Sequence, residues 1–310
     1  MLKKQSKVKP EKEKIREEPV PPVPSNSPIT YKGKTFRLFM TSRGPQKADG
    51  RLRALEHIPE HFHSMITLVT GAEHEKALRK NYPNLADFWK TPRHIDSAAK
   101  KRRLIMSSYE EDYAILINDD VTIHCFDEKT KRMVRPTEKL FKMHLKNFMD
   151  LAMSEEGFGG LSLHDRAFSK QTLDKKMKDL PFPDAYVVRT RFIGAFFCIK
   201  KKIVRSDLFH LGRLNYYEDI DYSLQLLKLG FNTCQYLGMV FSHPSTKPTP
   251  WHSDRTFEVR DRDRERLISF FPEAVRKRPP DKLREDLNID IYVKYSEAYK
   301  NAPKKRRTIQ

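Results

Sequence analysis

The chain has 310 residues, 60 of them Lys or Arg and 41 Asp or Glu, giving a formal net charge of +19. Nineteen Phe, twelve Tyr and two Trp exclude a wholly disordered chain. Three widely spaced cysteines (Cys125, Cys198, Cys234) with no CxxC exclude a disulfide framework and a thiolate zinc site.

The charge is not confined to the ends: segments 1–30, 31–254 and 255–310 carry net charges of +3, +10 and +6. A basic body favours a polyanionic partner, with an electrostatic steering field as its consequence. Met1-Leu2-Lys3-Lys4 leads into Lys, Glu and Pro without an apolar segment, so no secretory signal is expected. The longest apolar run, Phe192 to Ile199, is far shorter than a membrane span. A cytoplasmic protein with no membrane partner is the expectation.

In chain order, residues 1–30 are Lys/Glu-rich and then Pro-rich, and predict a disordered arm. Phe36 to Met40 predicts a strand ending in Thr41-Ser42-Arg43-Gly44. Leu52, Leu55 and Ile58 recur at helical spacing, and Met65 to Val69 predicts a second strand ending in Thr70-Gly71. A helix over Ile95–Tyr109 and a third strand, Ala114 to Ile117, lead to Asn118-Asp119-Asp120. A helix over Glu138–Met153 follows, then a strand at Gly160–Leu163 and another over Arg191–Ile199. Tyr217 to Leu229 predicts a helix closed by Gly230, and Tyr236 to Phe241 a last strand running into Ser242-His243-Pro244. Phe257 to Phe271 predicts a charged helix, and the chain ends in a basic tail through Lys304 to Arg307. Strands alternating with helices imply an α/β fold whose ligands bind at the carboxyl ends of the strands. The expected division is an arm (1–30), a catalytic domain (31–255, in halves 31–125 and 126–255) and a helical extension with the tail (256–310).

Three groups could carry chemistry. Asp119 and Asp120 follow an apolar strand, and adjacent carboxylates repel unless a cation such as Mg²⁺ or Mn²⁺ joins them; a strand-ending turn is the alternative. Glu218, Asp219 and Asp221 open a helix, where acids cap N–H groups and complement the dipole, or where one of them serves as a general base. His243 either completes a metal site or is structural, with His252 as its rival. A cationic run, Lys100 to Arg103, and a basic stretch at Arg166, Lys170, Lys175, Lys176 and Lys178 could face phosphates or only solvent.

These pieces in this order resemble the GT-A glycosyltransferase fold over roughly residues 36–245. They are the Thr41–Gly44 loop, the DxD-like Ile117-Asn118-Asp119-Asp120, the strand Gly194 to Lys201, the acidic Tyr217-to-Leu224 helix and a late His243. The first DxD position is Asn118 rather than Asp. Within that fold the chain is similar to the TET- and J-binding-protein-associated DNA glycosyltransferases of bacteriophages. The resemblance implies a GT-A-like, mixed and mostly parallel sheet flanked by helices. It implies transfer of a sugar from a nucleotide-diphosphate sugar, most readily a UDP-sugar, to a hydroxymethylated pyrimidine in double-stranded DNA, with inversion, in the host cytoplasm if phage-encoded. Thr41, Ser42, Arg43, Thr70, Gly71, Arg103 and Asp119 are then expected to hold the donor, and Asp119, Asp120 and His243 the Mn²⁺ or Mg²⁺. Asp219 is the expected base, with Glu218 and Asp221 behind it. A polysaccharide or protein acceptor, or a non-catalytic nucleic-acid-binding protein, are the competing expectations.

Overall fold

The computed structural model describes residues 22–24, 28–42, 44, 51–85, 87–154, 158–165, 187–189, 191–242, 256–279, 290–300 and 302. Most of the expected arm and tail, Arg43, the basic stretch over 166–178, His243 and His252 lie outside them.

The strands of the main sheet are β1 (Ile29–Tyr31), β2 (Lys34–Thr41), β3 (Ile66–Gly71), β4 (Asp87–Thr91), β5 (Tyr113–Asn118), β6 (Thr122–Asp127) and β7 (Arg132–Val134). They continue with β8 (Phe158–Asp165), β9 (Val187–Arg189), β10 (Phe196–Lys200) and β11 (Asn232–Ser242). The main path runs β4-β3-β2-β5-β10-β8-β11-β6-β7, with β1 on β2 and β9 on β11. Along that path β4, β3, β2, β5, β8, β11 and β7 share one direction, and only β10 and β6 are reversed. The sheet is therefore mixed with one prevailing direction, as expected. One prevailing direction gathers most strand carboxyl ends at a single edge.

Helices α1 (Arg53–His57), α2 (Glu75–Asn81), α3 (Ala98–Ser108), α4 (Glu138–Ser154), α5 (Lys201–Val204) and α6 (Glu218–Lys228) connect or flank these strands. Strand side chains alternate between faces, so each central strand feeds two cores. Leu38 and Met40, with Ile115 and Ile117, face one core, while Phe39, Ala114 and Leu116 face the other. α4 covers the first face through Phe141, Leu145, Phe148 and Met149, a three- and four-residue rhythm that makes one apolar stripe. α3 and α6 cover the second through Ile105, Met106, Tyr222 and Leu226.

Beyond the sheet, α7 (Phe257–Phe270), the hairpin β12 (Val275–Lys277) and β13 (Ile291–Val293), and α8 (Tyr295–Lys300) form a separate layer. This layer packs on the outer side of α6, where Leu224 and Leu227 meet Leu267, Phe271, Val275, Ile291 and Ala298. α6 is thus apolar on two faces and lies between two layers.

The expected strand over Arg191–Ile199 is shorter, beginning at Phe196. Ala195 adopts φ +51°, left-handed backbone that cannot continue a strand. The last strand is longer than its predicted apolar run and begins at Asn232.

Candidate active site

β2, β3 and β5 end side by side, with Thr41 paired to both Val69 and Asn118. The expected donor-binding residues Thr41, Ser42, Thr70, Gly71 and Asp119 therefore meet at one sheet edge. β2 and β5 stop where their next residues, Ser42 and Asp119, are polar and bond to each other through their side chains. Ser42 Oγ donates to Asp119 Oδ2 (2.6 Å) and accepts from the Gly44 N–H (3.0 Å). Lys101, buried in α3, donates to the Ser42 carbonyl at 2.6 Å. The Asp119 carbonyl accepts from Ala54 N–H, docking α1 beneath the same turn. Thr41, Ser42 and Thr70 are buried, so their side chains form the wall of the edge, while Gly71 and Asp120 are partly exposed.

Across the edge, β10 is reversed, so its amino end meets the carboxyl end of β5: Asn118 N–H donates to Ala195 O at 2.7 Å. The amino end of α6 arrives beside it. Arg102 of α3 joins the two, donating to Glu218 Oε1 and to Asn118 Oδ1, both at 2.8 Å. Both members of the Arg102–Glu218 pair are 4 % exposed in their side chains. One guanidinium thus ties the residue before Asp119 to the residue before Asp219.

The three acids of α6 have different surroundings. Glu218 is buried against Arg102. Asp221 is gripped by Arg213, whose Nε lies 3.0 Å from both carboxylate oxygens, and by Gln225 Nε2 at 2.9 Å. Burial raises the Asp221 carboxyl above its ordinary value, and the bonds from Arg213 and Gln225 counter only part of that. Asp219 is half-buried, accepts the Ile220 N–H at 2.8 Å, and among the described residues is paired with no cation. It is the most exposed of the three acids.

The cationic run divides by helix face. Lys100 pairs with Asp96 at 2.7 Å, and Arg103 is exposed, its stem lying against Gly212 in the loop before α6. Lys101 and Arg102 face neither phosphate nor solvent, the two expectations for this run, but point inward onto the Ser42 carbonyl, Glu218 and Asn118. A signal existed: Ala99, Arg102, Ile105, Met106 and Tyr109 form one apolar stripe, on which a cation needs a buried partner.

Among the described residues no group of three His, Cys, Asp or Glu side chains forms a metal cage. The adjacent carboxylates of Asp119 and Asp120, one buried and one partly exposed at the edge, are hard oxygen donors. They fit Mg²⁺ or Mn²⁺, which complete their shells with water and substrate phosphate. The residue before His243, Ser242, pairs with Thr122, two positions beyond Asp120.

No curated protein matches the sequence significantly. Among solved structures, the mannosyltransferase PcManGT from Pyrobaculum calidifontis, in complex with GDP-Man and Mn²⁺, is 13% identical with a TM-score of 0.47. That match covers 83% of this chain and 67% of the other. Glucosyl-3-phosphoglycerate synthase from Mycobacterium tuberculosis, in complex with Mn²⁺, UDP and phosphoglyceric acid, is 9% identical with a TM-score of 0.45, covering 81% and 85%. Both are distant likenesses, and their ligands are stated of those enzymes alone. Residues 36–247, from the start of the β2 core to just beyond β11, match a single family along the span that builds the edge described above. The chain belongs to the TET-associated glycosyltransferase family.

Proposed function

We propose that this glycosyltransferase moves a sugar from a nucleotide-diphosphate sugar, most readily a UDP-sugar, to the hydroxyl of a hydroxymethylated pyrimidine in duplex DNA. The observation that carries this reading is the convergence, through Arg102, of the Asn118–Asp120 turn and the Asp219 turn at one sheet edge. A donor diphosphate at the first and an acceptor hydroxyl at the second would be adjacent. The family's TET association and the +19 charge support a DNA acceptor.

In this reading Thr41, Ser42 and Arg43 border the nucleoside, Thr70 and Gly71 flank its base, and exposed Arg103 stands nearby for phosphate. Asp119 and Asp120, with His243, would hold Mn²⁺ or Mg²⁺. The cation, when bound, neutralises charge developing on the leaving diphosphate. Ser42 and Lys101 keep Asp119 in place. Arg102 fixes Glu218, so that Asp219 presents its carboxylate at the edge and accepts the proton from the attacking hydroxyl. Direct attack on the anomeric carbon gives inversion. Glu218 and Asp221 serve as supports, since their guanidinium partners occupy the oxygens a base would use.

The test is a screen of nucleotide-diphosphate sugars against hydroxymethylcytosine duplex DNA with Mn²⁺ or Mg²⁺, read by nucleoside mass. A gain of one sugar, lost in EDTA and in Asp120→Ala, is the expected result. Donor hydrolysis without any gain in DNA would move the acceptor elsewhere, to a polysaccharide or protein.

A further inference from the structure

The family match ends at residue 247, yet the turn that carries Asp219 is held from beyond it. The chain enters α6 through Asn215, Tyr216 and Tyr217. Asp263 of α7, wholly buried, accepts with one oxygen from the backbone N–H of both Asn215 (2.8 Å) and Tyr216 (3.0 Å). Its other oxygen is held by Arg262 at 3.1 Å. Next along, the Tyr217 hydroxyl donates to Asp290, which is also held by Arg264 at 2.5 Å and approached by Arg260 at 3.6 Å. Arg213, which grips Asp221, lies over the ring of Phe270 at 4.1 Å.

The distribution of these contacts is informative. Where the C-terminal layer meets the body of α6 the contact is mainly apolar, through Leu224 and Leu227, with a hydrogen bond from Lys228 Nζ to the Phe270 carbonyl (3.2 Å) at the helix end. Among the described residues, it uses buried carboxylates toward α6 only at the three residues preceding the acidic turn. Buried carboxylates are costly to desolvate and poor as general adhesive, but hydrogen bonds to them are directional and fix backbone position. Two N–H groups converging on one oxygen set the path of the chain into Glu218 and Asp219.

We propose that the layer formed by residues 256–279 and 290–300 is a built part of the active site, with Asp263 and Asp290 as positioning residues. They fix the Asn215–Tyr217 turn and so hold Asp219 against the acceptor hydroxyl. This rests on the assignment of Asp219 as the base.

The test uses the full chain with Asp263→Ala, Asp263→Asn and Tyr217→Phe. Transfer to hydroxymethylcytosine duplex, hydrolysis of the donor, and hydrogen exchange over residues 213–222 are measured together. Misplacing a catalytic group by an ångström costs on the order of 100-fold, so Asp263→Ala should lower kcat for transfer by that factor. Donor KM should stay within about twofold, because the donor end of the edge is untouched. Exchange should quicken over 213–222 and not in the sheet. Asp263→Asn, whose amide oxygen still accepts both N–H groups, should recover most of the rate. Tyr217→Phe removes one hydroxyl without emptying a buried site, and should lower kcat by roughly tenfold in a chain that still folds and melts only a few degrees below the parent. Normal transfer in Asp263→Ala, or parental kcat in Tyr217→Phe, overturns the proposal. So does equal loss of transfer and donor binding in both Asp263 variants. If the parent enzyme modifies no DNA, the acceptor reading fails instead, and parental exchange over 213–222 in Asp263→Ala would still overturn the positioning role.

Discussion

Arg102 shows what a single side chain decides here. A guanidinium presents a rigid fork of donors, and Arg102 uses it on two acceptors from different elements, Glu218 and Asn118. Removing one member of a buried ion pair strands the other and costs about 3–5 kcal/mol. Arg102→Lys keeps the charge but cannot reach both acceptors, so it should lower the melting temperature and reduce transfer sharply. Parental melting and activity in that variant would show that the pair does not tie the two turns. Asp219→Asn belongs to the same scale. It keeps the shape and the contact with Ile220 but cannot take a proton, and should cut transfer by roughly 10²–10⁴-fold with donor affinity retained. Isothermal titration of the donor beside a turnover assay separates these outcomes, and near-parental turnover would place the base elsewhere.

At the scale of elements, the candidate site takes its shape from β10 running against β5 and being preceded by a left-handed residue. Ala195 at φ +51° turns its carbonyl onto the Asn118 N–H, closing the end of β5 where the two aspartates emerge. A β-branched side chain tolerates that conformation poorly. Ala195→Val should destabilise the protein by about 1–3 kcal/mol, whereas Ala195→Gly, free at positive φ, should melt within a few degrees of the parent. Thermal unfolding of the two variants decides it: equal melting would mean the backbone relaxes there without cost. α6 is the complementary case. Its acidic start and apolar body were legible in the sequence, but which acid stays available was not. That depends on Arg102 and Arg213 arriving from other segments.

For the whole molecule, no helix among the described residues is long and apolar enough to cross a membrane. With the proposed DNA acceptor, the positive charge predicts that affinity falls steeply with added salt, with a linear dependence of log K on log salt. A salt-insensitive affinity would argue against phosphate contacts. Stability should also depend on pH through His144, buried between α4 and the sheet. Its Nε2–H donates to the Phe126 carbonyl, so Nδ1 accepts from the Tyr236 hydroxyl, and the ring is neutral. Burial holds its pKa below the ordinary value. The stability it contributes is therefore fully present above the unfolded value of about 6.5 and is lost as pH falls through the lower folded value. For Asp290, burial opposes the charged form, but the bonds from Tyr217 and Arg264 prevail and hold its carboxyl below the usual range. Its contribution persists until pH drops below about 4. Denaturant melts between pH 7 and 5 should show the first loss, and His144→Gln should flatten it.

The strands β2, β3 and β5, their polar ends, the acidic helix and the basic character were readable from the sequence, because period, composition and strand-ending residues are local properties. So was the family. β4, β6, β7 and β9 were not, since short strands of mixed polarity take their pairing from neighbours rather than from their own pattern. The inward turn of Lys101 and Arg102, the separate fates of Glu218, Asp219 and Asp221, and the clamp from Asp263 and Asp290 were decided only by tertiary structure. A charged side chain's role is set by what lies within about 4 Å of it, where Coulomb attraction and desolvation are both largest. Those neighbours come from segments up to 116 positions away in the chain.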